Sequence, residues 1–121
     1  CMADRCLVWY IPKGLWKNVR GANVSTEYVL DDDYVPIRVV VRQKVAQSGD
    51  ATIIDINDDG VSIFGDVKPA INQGLLASEW EVFLESLTVM EKDSVVTLDV
   101  DQVSGTVPGE QLMVQLELDR A

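Results

Sequence analysis

Short runs in which apolar and polar residues alternate follow one another from Cys6 to Leu118, and no long amphipathic helix is evident between them. In the clearest run, residues 34–45, the apolar side chains share one face of an extended chain: Val35, Ile37, Val39, Val41 and Val45. The basic side chains lie on the other face: Arg38, Arg42 and Lys44. Because successive side chains of a strand point to opposite faces, this pattern predicts a sheet with one buried face. The fold class is therefore all-β.

Eight segments have the composition of strands: residues 7–11, 24–30, 35–45, 51–56, 61–64, 80–89, 94–102 and 111–118. Residues with turn chemistry, such as Asn57-Asp58-Asp59-Gly60 and Pro108-Gly109, separate them. Residues 74–87 also show some helical spacing, and a strand is the interpretation that we favour there. Strands at this spacing predict an antiparallel two-sheet β-sandwich with jelly-roll-like topology.

The 121 residues fit one domain, 1–121, with residues 1–5 as a flexible N-terminal arm. No apolar stretch approaches the ~18 residues that a membrane span needs. Cys1 and Cys6 could form a disulfide, but Cys6 begins a strand, and we expect it to pack there as a small hydrophobic residue. Two cysteines near one end do not make a disulfide framework.

The charge excludes two kinds of partner. Twenty acidic and ten basic residues give a net charge of −10. A nucleic-acid-binding protein needs a positive surface, so we expect no nucleic-acid partner. An anionic membrane surface is disfavoured for the same reason. Much of the charge is explained by solubility and by protection of sheet edges.

The catalytic groups that remain are carboxylates, because the chain has no histidine. Ser-His-Asp and Cys-His catalysis and most zinc sites are thereby excluded. Asp99 and Asp101 lie two apart on one predicted strand, about 7 Å from each other by strand rise, a separation that a glycosidase could use. The alternative, which we favour, is a solvated face opposite Val96, Leu98 and Val100. We therefore predict no catalytic residue, no cofactor and no enzymatic activity.

One loop resembles half of a calcium-binding motif. Residues 55–60 satisfy D-x-[DN]-x-[DN]-G, and Asp66 would be the twelfth position. The loop lies between two strand-like segments, however, and Asp59-Gly60 between β-formers is a strong hairpin signal. We predict a hairpin without a tight metal site. A weakly bound calcium ion there, or at Asp31-Asp32-Asp33, is left open.

The aromatic residues suggest a contact surface. Trp9 shares a face with Leu7 and Ile11 and is expected in the core, so Tyr10 would point outward. Trp16 follows Gly14-Leu15 in a predicted loop and is the best candidate for an exposed aromatic side chain. Exposed aromatic residues occur in protein interfaces and in glycan sites, and we favour an interface.

Three segments resemble small virion proteins of tailed bacteriophages: residues 8–14, residues 51–64 with 68–71 and Gly74, and residues 92–103 with 108–116. Residues 74–91 depart most from that pattern. The resemblance implies a jelly-roll-like domain of a tail or head fibre, or of a capsid decoration protein, often trimeric. It implies a location in the virion and contacts with other virion proteins. It assigns no site residues.

Apolar residues at outward positions predict self-association. Val40 and Met113 interrupt otherwise clean alternations, and Tyr10 and Tyr34 lie beside them in the predicted sheet. We predict a homo-oligomer, a trimer first, with Tyr10, Trp16, Tyr34, Val40 and Met113 partly buried between subunits. The alternative is that a loop or the second sheet covers them within one chain.

Three functions are therefore considered. The first is a non-enzymatic structural module of a virion. The second is a carbohydrate- or receptor-binding module that recognises a host surface glycan through its loops. The third, a small carboxylate hydrolase, has the least support.

Overall fold

Nine strands and one short 3-10 turn form the part of the chain that the computed structural model describes, residues 1–78, 81–82 and 88–121, with the backbone alone at 81 and 82. The strands are β1 Arg5–Gly14, β2 Tyr28–Val29, β3 Tyr34–Val45, β4 Thr52–Asp58, β5 Val61–Ser62, β6 Ala70–Ile71, β7 Glu81–Val82, β8 Val95–Gln102 and β9 Glu110–Arg120. The 3-10 turn covers Lys17–Val19. Those residues contain no α-helix, and no helix among them could cross a membrane.

The strands form two antiparallel sheets. The first sheet has the order β1-β9-β3-β7, and the second has the order β2-β8-β4-β5. Strand β6 also pairs with β4, at Thr52 and Ile53, whereas β5 pairs with the other end of β4. These two short strands therefore share one sheet edge. The chain passes repeatedly from one sheet to the other, so the predicted jelly-roll-like sandwich is confirmed. Strand β6 was not predicted.

The core lies between the sheets and follows the alternation seen in the sequence. Val96, Leu98 and Val100 of β8 are at most 1% exposed, as predicted. Trp9 is also buried; its indole Nε1 donates to the backbone oxygen of Thr26 at 2.6 Å. Burying a valine or leucine side chain contributes about 1.5–3 kcal/mol to folding. The apolar side chains on the two inner faces therefore contribute most of the stability.

A β-bulge in β3 changes the predicted faces of that strand. Pairing of β3 with β9 shifts register between Pro36 and Arg38, which leaves Ile37 as the extra residue. The bulge places Tyr34 on the same inner face as Val39, and Tyr34 is 1% exposed in the core. The prediction of an outward Tyr34 is therefore wrong, because one extra residue reverses the alternation.

The N-terminal residues are joined to the sheet. Cys1 and Cys6 form a disulfide, and Cys6 is half-buried, so its prediction as a packed free hydrophobic residue is wrong. Leu7 and Trp9 point inward, which leaves Cys6 on the outer face within reach of Cys1. In the predicted arm, residues 1–5, Asp4 accepts a hydrogen bond from the backbone of Arg120 at 2.9 Å.

The ambiguous segment, residues 74–87, is described only in part. Residues 79–80 and 83–87 lie outside the described residues, as does most of the strand predicted at 80–89. The backbone of Glu81–Val82 forms β7, which pairs with Arg38 and Val39 at one edge of the first sheet. Before it, Ser78 donates its backbone N–H to the oxygen of Val41 at 2.9 Å.

Candidate interaction surface

Three neighbouring strands of the first sheet, β1, β9 and β3, carry most of the residues proposed for an interface on their outer face. Met113 of β9 pairs with Tyr10 of β1 on one side and with Arg42 of β3 on the other. Directly paired residues of antiparallel strands project from the same face, so these three side chains form one row. The next row along the strands is Val8, Gln115 and Val40. The sheet thus brings together three of the five residues proposed for an interface: Tyr10, Val40 and Met113.

Exposure differs sharply within these rows. Tyr10 is 48% exposed and Val8 is 42% exposed, while Met113 is half-buried. Val40 is only 6% exposed, although it does not belong to the central hydrophobic cluster. Val40 is therefore covered within the single chain, which agrees with the alternative considered for it, and it offers almost no surface to a partner.

A groove of about 650 Å³ crosses this face, lined by Tyr10, Arg42, Gln43, Lys44, Leu76, Gln111 and Met113. Leu76, 45% exposed, is held beside β3 because its backbone oxygen accepts from the Gln43 N–H at 2.9 Å. The hydroxyl of Tyr10 donates to Oε1 of Gln111 at 3.1 Å, which orients the ring. We call this surface, with Val8, the outer-face groove. It combines an apolar floor with two cations.

Trp16 lies apart from the rows of Tyr10 and Val8. It follows the end of β1, beside Gly14, and is 59% exposed, as predicted for an exposed aromatic residue. A Cβ on Gly14 would come within 2.9 Å of the indole Nε1, so the glycine leaves room for the ring. Trp16 is therefore a second, separate aromatic surface near the loop that follows β1.

The loop with the calcium-like pattern is a hairpin, as predicted. Asp58 pairs with Val61 across a two-residue turn formed by Asp59 and Gly60. Their φ angles are 48° and 82°, and positive values at both turn positions are typical of a type I′ hairpin. Asp55 therefore lies within β4 instead of in an open loop.

A cluster of three carboxylates, Asp55, Asp99 and Asp101, was not predicted as a unit. Their closest oxygens lie within 4.8 Å of one another on the outer face of the second sheet. Asp99 pairs with Asp55 across the β4–β8 ladder, and Asp101 follows two residues along β8. The sequence showed the spacing of Asp99 and Asp101, but only the strand pairing adds Asp55.

Lys68 neutralises part of this carboxylate cluster. Its Nζ lies 2.7 Å from Oδ2 of Asp101 and 3.3 Å from Oδ2 of Asp55. Hydrogen bonds to Asp101 and then to Asp55 raise the pKa of Lys68 above its usual value. The other Asp55 oxygen accepts from the Ser62 hydroxyl at 2.6 Å.

Asp99 is held by neighbouring polar groups. One oxygen accepts from the Asn57 side-chain amide at 2.6 Å, and the other accepts from the backbone N–H of Asn23 at 2.9 Å. The three carboxylates thus connect β4, β8 and the segments around Asn23 and Lys68. The predicted freely solvated face is wrong in this respect, because Asp99 and Asp101 are half-buried and bonded.

No family model matches this chain, and no match occurs among curated proteins or solved structures.

Proposed function

We propose that this chain is a non-enzymatic structural module of a tailed-phage virion, a fibre or decoration domain that assembles as a homotrimer. The observation that carries the proposal is the row of Tyr10, Met113 and Arg42, which with Leu76 leaves an apolar groove open on a sheet face. Contiguous exposed apolar surface is typical of protein–protein contacts. Jelly-roll domains of this kind are common in viral capsids.

Charge favours a second copy of the chain as the occupant of the groove. The chain carries a net charge of −10, whereas the outer face of β3 presents Arg42 and Lys44 in the groove. Arg38, farther along the same strand, is ion-paired with Glu117 at 3.1 Å. A basic strip on an acidic protein is complementary to most of the remaining surface of another copy. A contact between unlike surfaces is heterologous, and it closes into a ring when the rotation permits. A three-membered ring agrees with the resemblance to trimeric virion proteins.

Glutamate substitutions in the groove test the assembly. We expect Tyr10→Glu and Met113→Glu to convert a trimer into monomers, because each buries a carboxylate in the apolar part of the contact. The matched control is Val67→Glu, since Val67 is 74% exposed and lies outside the groove. Light scattering after size exclusion gives the mass of each, and thermal melting verifies that each is folded. Trimeric glutamate variants would contradict the proposed surface.

The virion location is tested separately. Mass spectrometry of purified particles of the phage that encodes this chain should detect it at a copy number divisible by three. Its absence from purified particles would refute the virion role while leaving the oligomeric state as a separate result.

A carbohydrate- or receptor-binding module is the second candidate, and the exposure of Trp16 supports it. Sugar rings stack on exposed indole faces, and loops at the end of a sandwich are common binding sites. We expect a glycan array to detect binding that Trp16→Ala abolishes if this candidate is correct. An array without any signal would exclude the glycans tested and favour the assembly role alone.

A further inference from the structure

Two cations in the outer-face groove have no counter-ion among the described residues. Arg42 and Lys44 line the groove, and neither takes part in an ion pair there. They lie two residues apart on β3, about 7 Å from each other by strand rise. Two grooves placed face to face would bring like charges together, which disfavours a contact between identical surfaces. The groove therefore fits a surface that carries negative charge beside apolar side chains.

The acidic groups of the chain differ in how much of their charge is already paired. Asp31 and Asp32 each pair with an arginine, and Lys68 pairs with two members of the carboxylate cluster. Asp59 and Glu91, by contrast, are exposed and form no ion pair with a described residue. These two carboxylates also line a common cavity, so they present uncompensated negative charge at one place.

Exposed apolar side chains adjoin these two carboxylates. The cavity has a volume of about 340 Å³, and Val61 and Val89 line it with them. Val61 is 70% exposed and Val89 is 41% exposed. No Lys or Arg is among the described residues that line the cavity. Asp59, Val61, Val89 and Glu91 are called the end surface below, since Pro36 near the start of β3 also lines the cavity and places it at one end of the sandwich.

The β4–β5 hairpin holds its part of the end surface in a fixed position. Oδ1 of Asp59 accepts from the backbone N–H of Val95 at 2.8 Å. The backbone N–H of Asp59 donates in turn to the Val95 oxygen at 2.9 Å. The hairpin is thereby tied to the start of β8 on both sides of this residue. A surface that is already ordered loses little conformational entropy when a partner binds.

We propose that the outer-face groove of one copy binds the end surface of the next copy. The two valines pack against the apolar floor of the groove, and the carboxylates of Asp59 and Glu91 face Arg42 and Lys44. This inference rests on the proposed assembly and names the surface that the groove accepts. The two surfaces share no lining residue, so one copy uses both at once and the contacts run head to tail.

Charge reversal of the end surface tests this pairing. Val61→Lys combined with Glu91→Lys should turn the trimer into monomers of 13.4 kDa, because it places cations against the cations of the groove. The matched control is Asp66→Lys combined with Val67→Lys, which makes the same change of charge at exposed residues outside both surfaces and should leave a trimer. Light scattering gives the masses, and thermal melting verifies that each variant is folded.

Mixing two variants tests the head-to-tail order. Tyr10→Glu has a damaged groove and an intact end surface, whereas the variant with lysine at positions 61 and 91 has the reverse. Neither should assemble alone. In a mixture, one intact contact joins one copy of each, so native mass spectrometry should detect a 1:1 pair of about 27 kDa, twice the chain mass of 13.4 kDa. Trimers should be absent, because both outer surfaces of that pair are damaged.

The outcomes distinguish this inference from the assembly on which it rests. A trimeric variant with lysine at positions 61 and 91, or a mixture that stays monomeric at the highest soluble concentration, would overturn the end surface as the counterpart of the groove. Either result would leave assembly through the groove in place. A monomeric unmodified chain would refute the assembly and this inference together.

Discussion

At the residue scale, the ion pairs of Lys68 stabilise a carboxylate that water barely reaches. Asp55 is 4% exposed and pairs with Lys68, so Lys68→Met leaves the buried negative charge of Asp55 without a counter-ion. We expect the variant to lose about 1–3 kcal/mol of unfolding free energy, and the lower half is favoured because about a third of the Lys68 side chain is exposed. Urea denaturation measures the loss, with Lys13→Met at an exposed position as the control. Equal stability of both variants would refute a structural role for Lys68.

The carboxylate cluster should not need a metal ion, because Lys68 supplies positive charge to Asp55 and Asp101. We expect the melting temperature to be the same in EDTA and in millimolar calcium chloride. The hairpin at Asp59-Gly60 adds to this expectation, since it closes the calcium-like loop. A melting temperature that falls on chelation would show that a cation competes with Lys68.

The hydrogen bond from the Tyr34 hydroxyl to Asp31, 2.6 Å long, makes stability depend on pH in two windows. It lowers the pKa of Asp31 from 3.8, so its stabilisation is present above pH 3.8 and is lost as pH falls through the folded-state pKa. The same hydrogen bond raises the pKa of Tyr34 above 10.0. Its contribution to stability is therefore fully present below pH 10 and is lost as pH rises through the folded-state pKa of Tyr34.

Tyr34→Phe tests this coupling. We expect a lower melting temperature at pH 7 and a smaller further loss in both the acid and the alkaline window. Tyr10→Phe is the control, since the Tyr10 hydroxyl bonds to neutral Gln111. Profiles of melting temperature against pH that are parallel for Tyr34→Phe and the unmodified chain would contradict the coupling.

Exposure of single residues was predictable where the alternation is unbroken. Trp9 and Tyr10 lie on the expected faces because β1 carries no bulge between them. Lys68 could not be assigned from the sequence, since its partners lie 13 and 33 residues away and meet it only through the β4–β8 pairing.

At the scale of elements, the β4–β5 hairpin depends on Gly60. Its φ of +82° is unfavourable for a residue with a Cβ, so Gly60→Ala should cost about 1–2 kcal/mol of unfolding free energy. The cost comes from the backbone conformation and not from a steric clash, because a Cβ at Gly60 would meet nothing within 4 Å. Gly105→Ala, equally open and without a positive φ, should be neutral or stabilising. Chemical denaturation of both variants provides the comparison; equal effects would show that the turn is not constrained.

Strand alternation and turn chemistry predicted most of the long elements. Strand β8 was expected at residues 94–102 and occupies Val95–Gln102, since its pattern is regular and Glu91-Lys92-Asp93 precedes it as a turn. The bulge at Ile37 could not be predicted, because a register shift depends on the partner strand. Ala70–Ile71 was missed as β6 because two residues are too few to show a period.

At the scale of the whole molecule, the jelly roll separates two surfaces. The outer-face groove is apolar with a basic strip, and the carboxylate cluster lies on the other sheet. We propose that the outer-face groove assembles copies of this chain. Attraction between a basic strip and an acidic surface weakens with salt, so assembly through the groove should weaken as ionic strength rises.

Sedimentation velocity of the unmodified chain at micromolar concentration tests the assembly most directly. A trimer through the outer-face groove should sediment as one species of about 40 kDa, three times the chain mass of 13.4 kDa. Raising the salt concentration should shift that species toward the monomer. A single 13.4 kDa species at every concentration and at low salt would contradict the proposed assembly.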